Sequence, residues 1–207
     1  MTFLTRLKRI AAGSVLAAGL LSSITAAEAA EKYKIFLSMS YIGNDWQAEA
    51  ANMIKAMAAH KSMADKVDLQ VQVAGPNAQR QIQQINAMVQ AGADAIVIFP
   101  ISPTALNQVV KNACDKGVKI FAYDGDISEP CAHNISIDQE EAGRVTAEWL
   151  VKKLNGKGNI VVLTGVPGTS VDELRTKAAK EVFAKHPDIK IVAEGVGMWS
   201  QAVSRTE

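Results

Sequence analysis

Beyond the first ten residues the chain holds no block of Lys or Arg, and its formal net charge is +1. That balance leaves no electrostatic footprint for nucleic acid, which is not expected as a partner. Two cysteines and three scattered histidines (His60, His133, His186) offer no zinc spacing, so no metal site is expected. The chain lacks a G-x-x-x-x-G-K-[ST] phosphate loop, a dinucleotide fingerprint after its first strand, and a G-x-S-x-G elbow. "GVPGTS" (165–170) is glycine-rich ahead of a helix, but it carries no phosphate-loop lysine. No nucleophile–base pair is visible, so no enzyme, catalytic residue or cofactor is expected. No Gly/Ser-rich linker or low-complexity stretch divides the chain.

What is present begins with an export signal. "MTFLTRLKR" carries Arg6, Lys8 and Arg9, and Ile10 to Ile24 run without a charge. "TAAEAA" then places Ala27 and Ala29 as an A-x-A cleavage site. The apolar run is shorter than the roughly 20 residues of a membrane span. Residues 1–29 therefore read as a signal peptide cleaved near Ala29, with an uncleaved anchor helix as the alternative. Export to an oxidising compartment changes the meaning of Cys114 and Cys131. Their even count fits one disulfide; two separately buried thiols are the alternative.

After the signal, short apolar runs alternate with amphipathic ones. Strands are expected at 34–39, 67–75, 93–100, 118–125, 132–138, 159–165 and 189–197. Helices are expected at 48–61, 79–92, 102–117, 139–156, 170–187 and from 200 onward. Ser102 and Pro103 read as N-cap and first residue of the third helix, and Gly92 and Gly117 as helix stops. The strands are near-continuous Ile/Val/Phe runs, as parallel strands covered on both faces should be. The expected class is α/β with parallel sheets and right-handed crossovers. A weak break falls at 136–138, where a strand runs directly into a helix.

In such a sheet, ligands bind beyond the carboxyl ends of the strands. The residues at those ends include Asn44, Asp45, Trp46, Gln47, Phe99, Asp124, Asp126, Asp138, Arg175 and Trp199. Carboxylates and amides hydrogen-bond hydroxyls, and Trp faces stack on the C–H faces of a sugar ring. The set suits an uncharged polyhydroxylated ligand. Asp45 also reads as the cap of the first helix.

The stretches "SYIGNDWQ", "QINAMVQAGADAIVIFPISPTAL", "GVKIFAYDGD", "ISIDQEEAGRVTAEWL" and "LTGVPGTSVDELRTKAAKEVF" carry a resemblance. The chain from 33 to 207 resembles the ribose-type periplasmic substrate-binding proteins of ABC transporters, with the type I periplasmic-binding fold. The resemblance implies two doubly wound parallel-sheet lobes joined by a hinge, with ligand closed between them. Residues 30–136 would form most of lobe one and 137–207 the first half of lobe two, the second lobe being incomplete in a C-terminally truncated chain. It implies a periplasmic location, a sugar-like ligand, an ABC permease in the inner membrane as partner, and a monomer. A ligand-sensing receptor module for chemotaxis or signalling is the alternative.

The same resemblance assigns roles. Asn44 is a polar contact and Trp46 stacks on the sugar. Asp124 binds ring hydroxyls, Asp138 faces the cleft from the hinge, and Arg175 and Trp199 reach the ligand from lobe two. Three departures point away from ribose: Gln47 stands in place of a second aromatic, Phe99 in place of an Asn, and Gly125 in place of an Arg. "YDGDISEPC" is similar to a stretch of the rhamnose and autoinducer branch, which adds Asp126 as a second carboxylate contact.

Overall fold

The computed structural model describes residues 31–207. The expected signal peptide, residues 1–29, lies outside the described residues. The chain alternates strand and helix as β1 (Tyr33–Met39), α1 (Asp45–Ala59), β2 (Val67–Val73), α2 (Ala78–Gln90), β3 (Ala95–Phe99), α3 (Asn107–Asp115) and β4 (Lys119–Tyr123). It continues through β5 (His133–Ile135), α4 (Gln139–Lys153), β6 (Gly158–Thr164), α5 (Ser170–Ala184), β7 (Ile189–Val196) and α6 (Gln201–Ser204).

Five strands form one sheet in the order β2-β1-β3-β4-β5, all parallel. The order reverses between β1 and β3. Chain connections therefore leave that point in opposite directions and open a crevice at the carboxyl ends. Alternation along the strands decides which helices cover which face. Phe36, Ile96, Ile98, Ile120 and Ala122 pack with Ile85 and Met88 of α2 and with Val109 and Val110 of α3. Leu37 and Met39 face the other way, against Ala51 and Ile54 of α1, together with Val97 and Tyr123.

The second sheet, β6-β7, is also parallel, with a bulge at Ile160/Val161 that leaves Val192 unmatched. Here the described residues cover one face of the strands. Helices α4 and α5 bury one face through Ala147, Val151, Val182 and Phe183 against Ile160 and Ile189. On these strands Val161, Leu163, Val192 and Val196 stay exposed. Among the described residues the helices pack on one side of this sheet, and these apolar residues lie on the other.

Helix boundaries follow cap chemistry. Gly92 (φ 80°) and Gly117 (φ 88°) supply the left-handed residue that closes α2 and α3. Their amides reach the carbonyls of Val89 and Cys114, while Ala93 and Val118 reach back to Met88 and Ala113. The start of α3 differs from expectation. It begins at Asn107, not near Ser102, because Ser128 takes the Pro103 carbonyl through its amide (2.8 Å) and hydroxyl (3.0 Å). That carbonyl is lost to a helical ladder. Ser102 still caps a turn, accepting from the amide of Ala105 at 3.2 Å.

Cys114 and Cys131 are joined in a disulfide with Cα atoms 6.5 Å apart. It ties the end of α3 to the segment that leads into β5. Closing a loop of this size stabilises a fold by about 3 kcal/mol in the chain-entropy view. The double variant Cys114→Ala/Cys131→Ala is expected to lose about that much in urea unfolding, with a somewhat larger m-value because the uncrosslinked denatured chain exposes more surface. An unaltered midpoint would contradict the assignment.

Candidate functional site

At the carboxyl ends of the first sheet lies a cavity of about 440 Å³ lined by Asn44, Trp46, Gln47, Asp124, Ile137, Val171, Arg175 and Trp199. Residues from β1–α1, from the end of β4, from α5 and from the β7–α6 turn converge on it.

The first turn of α1 contributes three neighbours in three different environments. Asn44 is the N-cap: its Oδ1 accepts from the amide of Gln47 at 2.8 Å. Asp45, read from sequence as the cap, is instead the first helical residue and lies exposed. An oxygen at Asn44 reaches the free amides from one residue earlier, in an extended backbone (φ −140°, ψ 166°). Trp46 is 54 % exposed and stacks at 6.5 Å on Tyr123, whose ring meets Phe99 at 5.6 Å. Gln47 is 2 % exposed, and its Oε1 lies buried without a hydrogen-bond partner. A buried polar atom left unpartnered beside a cavity is costly unless something in the cavity meets it.

Asp124 ends β4 in a left-handed conformation (φ 61°), unusual for a residue with a side chain. Its amide donates to the Ile135 carbonyl at 3.0 Å, which fixes this turn against β5. Burial pushes the Asp124 carboxyl above the ordinary value of 3.8. The Arg175 charge and a hydrogen bond from Gln139 oppose that rise, and Asp126 adds to it. Burial also raises the neighbouring Tyr123 phenol, with a smaller contribution from Asp124.

Arg175 is positioned by close helix packing. A Cβ at Gly143 of α4 would stand 2.3 Å from the Arg175 carbonyl oxygen and 2.8 Å from its Cα, so only glycine admits α5 this near. Trp199 depends on a second close approach, since a Cβ at Gly165 would fall 2.0 Å from its ring. Asp172, buried in the first turn of α5, accepts from the Gly165 amide and holds that backbone in place. Met198 and Trp199 both sit near φ 50°, so the turn that presents the indole is itself left-handed.

Six of the sequence-predicted residues thus meet at one cavity: Asn44, Trp46, Gln47, Asp124, Arg175 and Trp199. Three do not line it. Phe99 is fully buried behind Tyr123. Asp126 accepts from the Ser136 hydroxyl at 2.7 Å. Asp138 is exposed and caps α4, accepting from the Glu141 amide at 2.8 Å. The residue one step further, Gln139, is the one that turns inward. Ile137, Val171 and Gln139 had been missed; an apolar side chain or an amide at a helix start carries no distinctive signal. Gln81, fully buried, was missed as well. It donates to Ser38 Oγ and the Phe99 carbonyl and accepts from the Ile101 amide, joining the ends of β1 and β3. Among the described residues no group of three His, Cys, Asp or Glu side chains is placed to hold a metal ion.

Residues 35–207 match the family described as periplasmic binding protein domain. A xylitol-binding protein of Mycolicibacterium smegmatis is 32% identical over 67% of this chain and 40% of its own length. A galactofuranose-binding protein of Escherichia coli is 28% identical over 80% of this chain and 53% of its own. The chain spans about half the length of these curated relatives. Among solved structures, an ABC transporter solute-binding protein from Thermobispora bispora superposes with a TM-score of 0.77 at 31% identity, covering 84% of this chain and 55% of that one. The α/β architecture with parallel sheets is that of these proteins.

Two outcomes follow from the geometry. A carboxyl whose pKa rises on folding holds its proton more tightly in the native state. Its cost is absent at pH below the ordinary Asp value and grows as pH climbs through the native pKa. The wild-type chain should therefore lose stability relative to Asp124→Asn as pH rises from about 3.8 upward. Urea midpoints of both proteins across pH would show it, and a pH-independent gap would contradict it. Gly143→Ala should cost about 1–3 kcal/mol through overpacking against Arg175, read from the same unfolding curves.

Proposed function

Since the chain belongs to the family of periplasmic binding proteins, we propose that it captures a sugar or sugar-like polyhydroxylated solute in the periplasm, and that the whole protein delivers it to an ABC permease. The observation that carries this reading is the chemistry of the cavity at the carboxyl ends of the first sheet. Two indoles, Trp46 and Trp199, border it, with an amide on each side of Trp46's first turn and a single acid and a single base across from them. One carboxylate and one guanidinium cancel in charge, which favours a neutral ligand over an anion or a cation.

Each polar group then has a natural role. Asn44 spends its Oδ1 on the helix cap, leaving its amide nitrogen to donate. Gln47 lines the cavity from a buried position, and Asp124 offers its carboxylate as an acceptor. Vicinal hydroxyls, each both donor and acceptor, suit that mixture. Indole faces suit the C–H side of a ring or an extended polyol, and exclude water from it. Relatives that bind xylitol and galactofuranose support a pentitol or a furanose-sized ligand.

In this reading residues 30–136 form lobe one and 137–207 belong to lobe two, with the crossing at Ser136–Asp138. The exported protein acts as a monomer. Ligand favours the closed arrangement because only there do Asp124 from one lobe and Arg175 from the other engage it together. No bond is made or broken.

Calorimetric titration against xylitol, D-xylose, D-ribose, L-arabinose and myo-inositol tests the proposal. Binding of at least one is expected, and no heat with any of them would overturn the polyhydroxylated-ligand reading. For a ligand that binds, Trp46→Ala should weaken affinity by at least about 1–2 kcal/mol, some five- to thirty-fold. An unchanged affinity would remove Trp46 from the site.

A further inference from the structure

We propose that Gln139 is the positioning residue of the site: the two ends of its amide hold the strand-ending Asp124 and the helical Arg175 in a fixed relation, so that both face one ligand. The proposal rests on the site reading above and assigns a role to a residue that itself does not line the cavity.

Gln139 is the first residue of α4 and is 2 % exposed. Its Nε2 donates to the Asp124 carbonyl at 2.9 Å and, at 3.5 Å, lies at the edge of reach of Oδ1. Its Oε1 accepts from Arg175 Nε at 2.7 Å. A buried primary amide must find partners for both ends. Here the two partners belong to the acid and the base of the cavity, on elements that pair with different sheets.

The arrangement does more than satisfy an amide. Among the described residues Asp124 and Arg175 form no direct ion pair, and the Arg175 side chain makes its only hydrogen bond through Nε. The guanidinium is anchored by the nitrogen nearest its stem, and its two terminal nitrogens have no protein partner. That is the half of an Arg best shaped to meet two oxygens at once. Four residues along α4, Gly143 abuts the Arg175 backbone. One face of α4 thus holds Arg175 twice, at the main chain through Gly143 and at the side chain through Gln139.

A purely structural glutamine would alter stability and leave the chemistry of Asp124 alone. A positioning glutamine would not. The charged and titratable groups facing Asp124 are Arg175 from α5, Asp126 from the following loop and the Tyr123 phenol. Gln139→Met keeps the volume and removes both ends of the amide. Gln139→Glu keeps an acceptor for Arg175, removes the donor to Asp124 and adds a charge beside it.

The experiment is a carboxyl-carbon NMR titration of the chain, with Asp124→Asn identifying the Asp124 resonance, together with the Arg175 Nε–H signal. In Gln139→Met the Asp124 midpoint should rise by about half a pH unit or more, with faster solvent exchange at Arg175 Nε–H. Gln139→Glu should raise the midpoint at least as far while keeping the Arg175 signal protected, and it serves alone if the Met variant does not fold. An Asp124 midpoint at its wild-type position in the folded variants would overturn the proposal. No sugar enters the titration, so failure of the sugar reading and failure of this one are told apart.

Discussion

Parallel pairing is the constraint on which the rest of this molecule depends. When β1, β3 and β4 run in one direction, the chain must leave all three at the same edge. The residues after each strand are then gathered whatever their separation in sequence. The hydrogen-bonded register that matches Phe36 to Ile96 and Ile96 to Ile120 is what brings Asn44 within one cavity of Asp124. Reversal of strand order between β1 and β3 opens that edge, and the N-termini of α1, α4 and α5 close around it.

At this edge several local rules are broken together. Asp124, Met198 and Trp199 hold left-handed backbones. Gln47 and Tyr123 bury oxygens with no partner, and Asp124 is desolvated beside another acid. Each departure costs free energy. In the sheet interior, by contrast, apolar side chains alternate between the α1 face and the α2/α3 face. Asn155 is also left-handed and Gln84 and Asn107 also bury an unpartnered oxygen elsewhere, but the rim around Asp124 gathers strained backbone, unpartnered oxygens and a desolvated acid in one place, as binding sites do.

Much of this was legible beforehand. Alternation of strand and helix, the class of sheet and the disulfide partners all followed from patterning and composition. The cleft residues were legible because parallel topology converts "next after a strand" into "near the ligand". The misreadings share a cause as well. Ser102 looked like a helix cap until Ser128, far along the chain, took the Pro103 carbonyl. Asp138 looked like a contact because it is acidic and follows a strand, yet it lies exposed at the start of α4, its Oδ1 accepting from the Glu141 amide. Phe99 follows the same positional rule and is turned behind Tyr123.

By itself, then, the sequence determined period, polarity and punctuation, because these depend on neighbours a few residues away. It set where strands and helices lie, which end of each strand carries polar groups, and that two indoles, an acid and a base belong to one rim. Tertiary structure alone decided which polar groups are free and which are consumed. Gln139 turns inward where Asp138 turns out, and Gly143 and Gly165 are needed because a helix backbone and an indole lie against them. Those outcomes depend on contacts between residues distant in the chain, and hydrogen-bond capacity once used in one contact is no longer available for another.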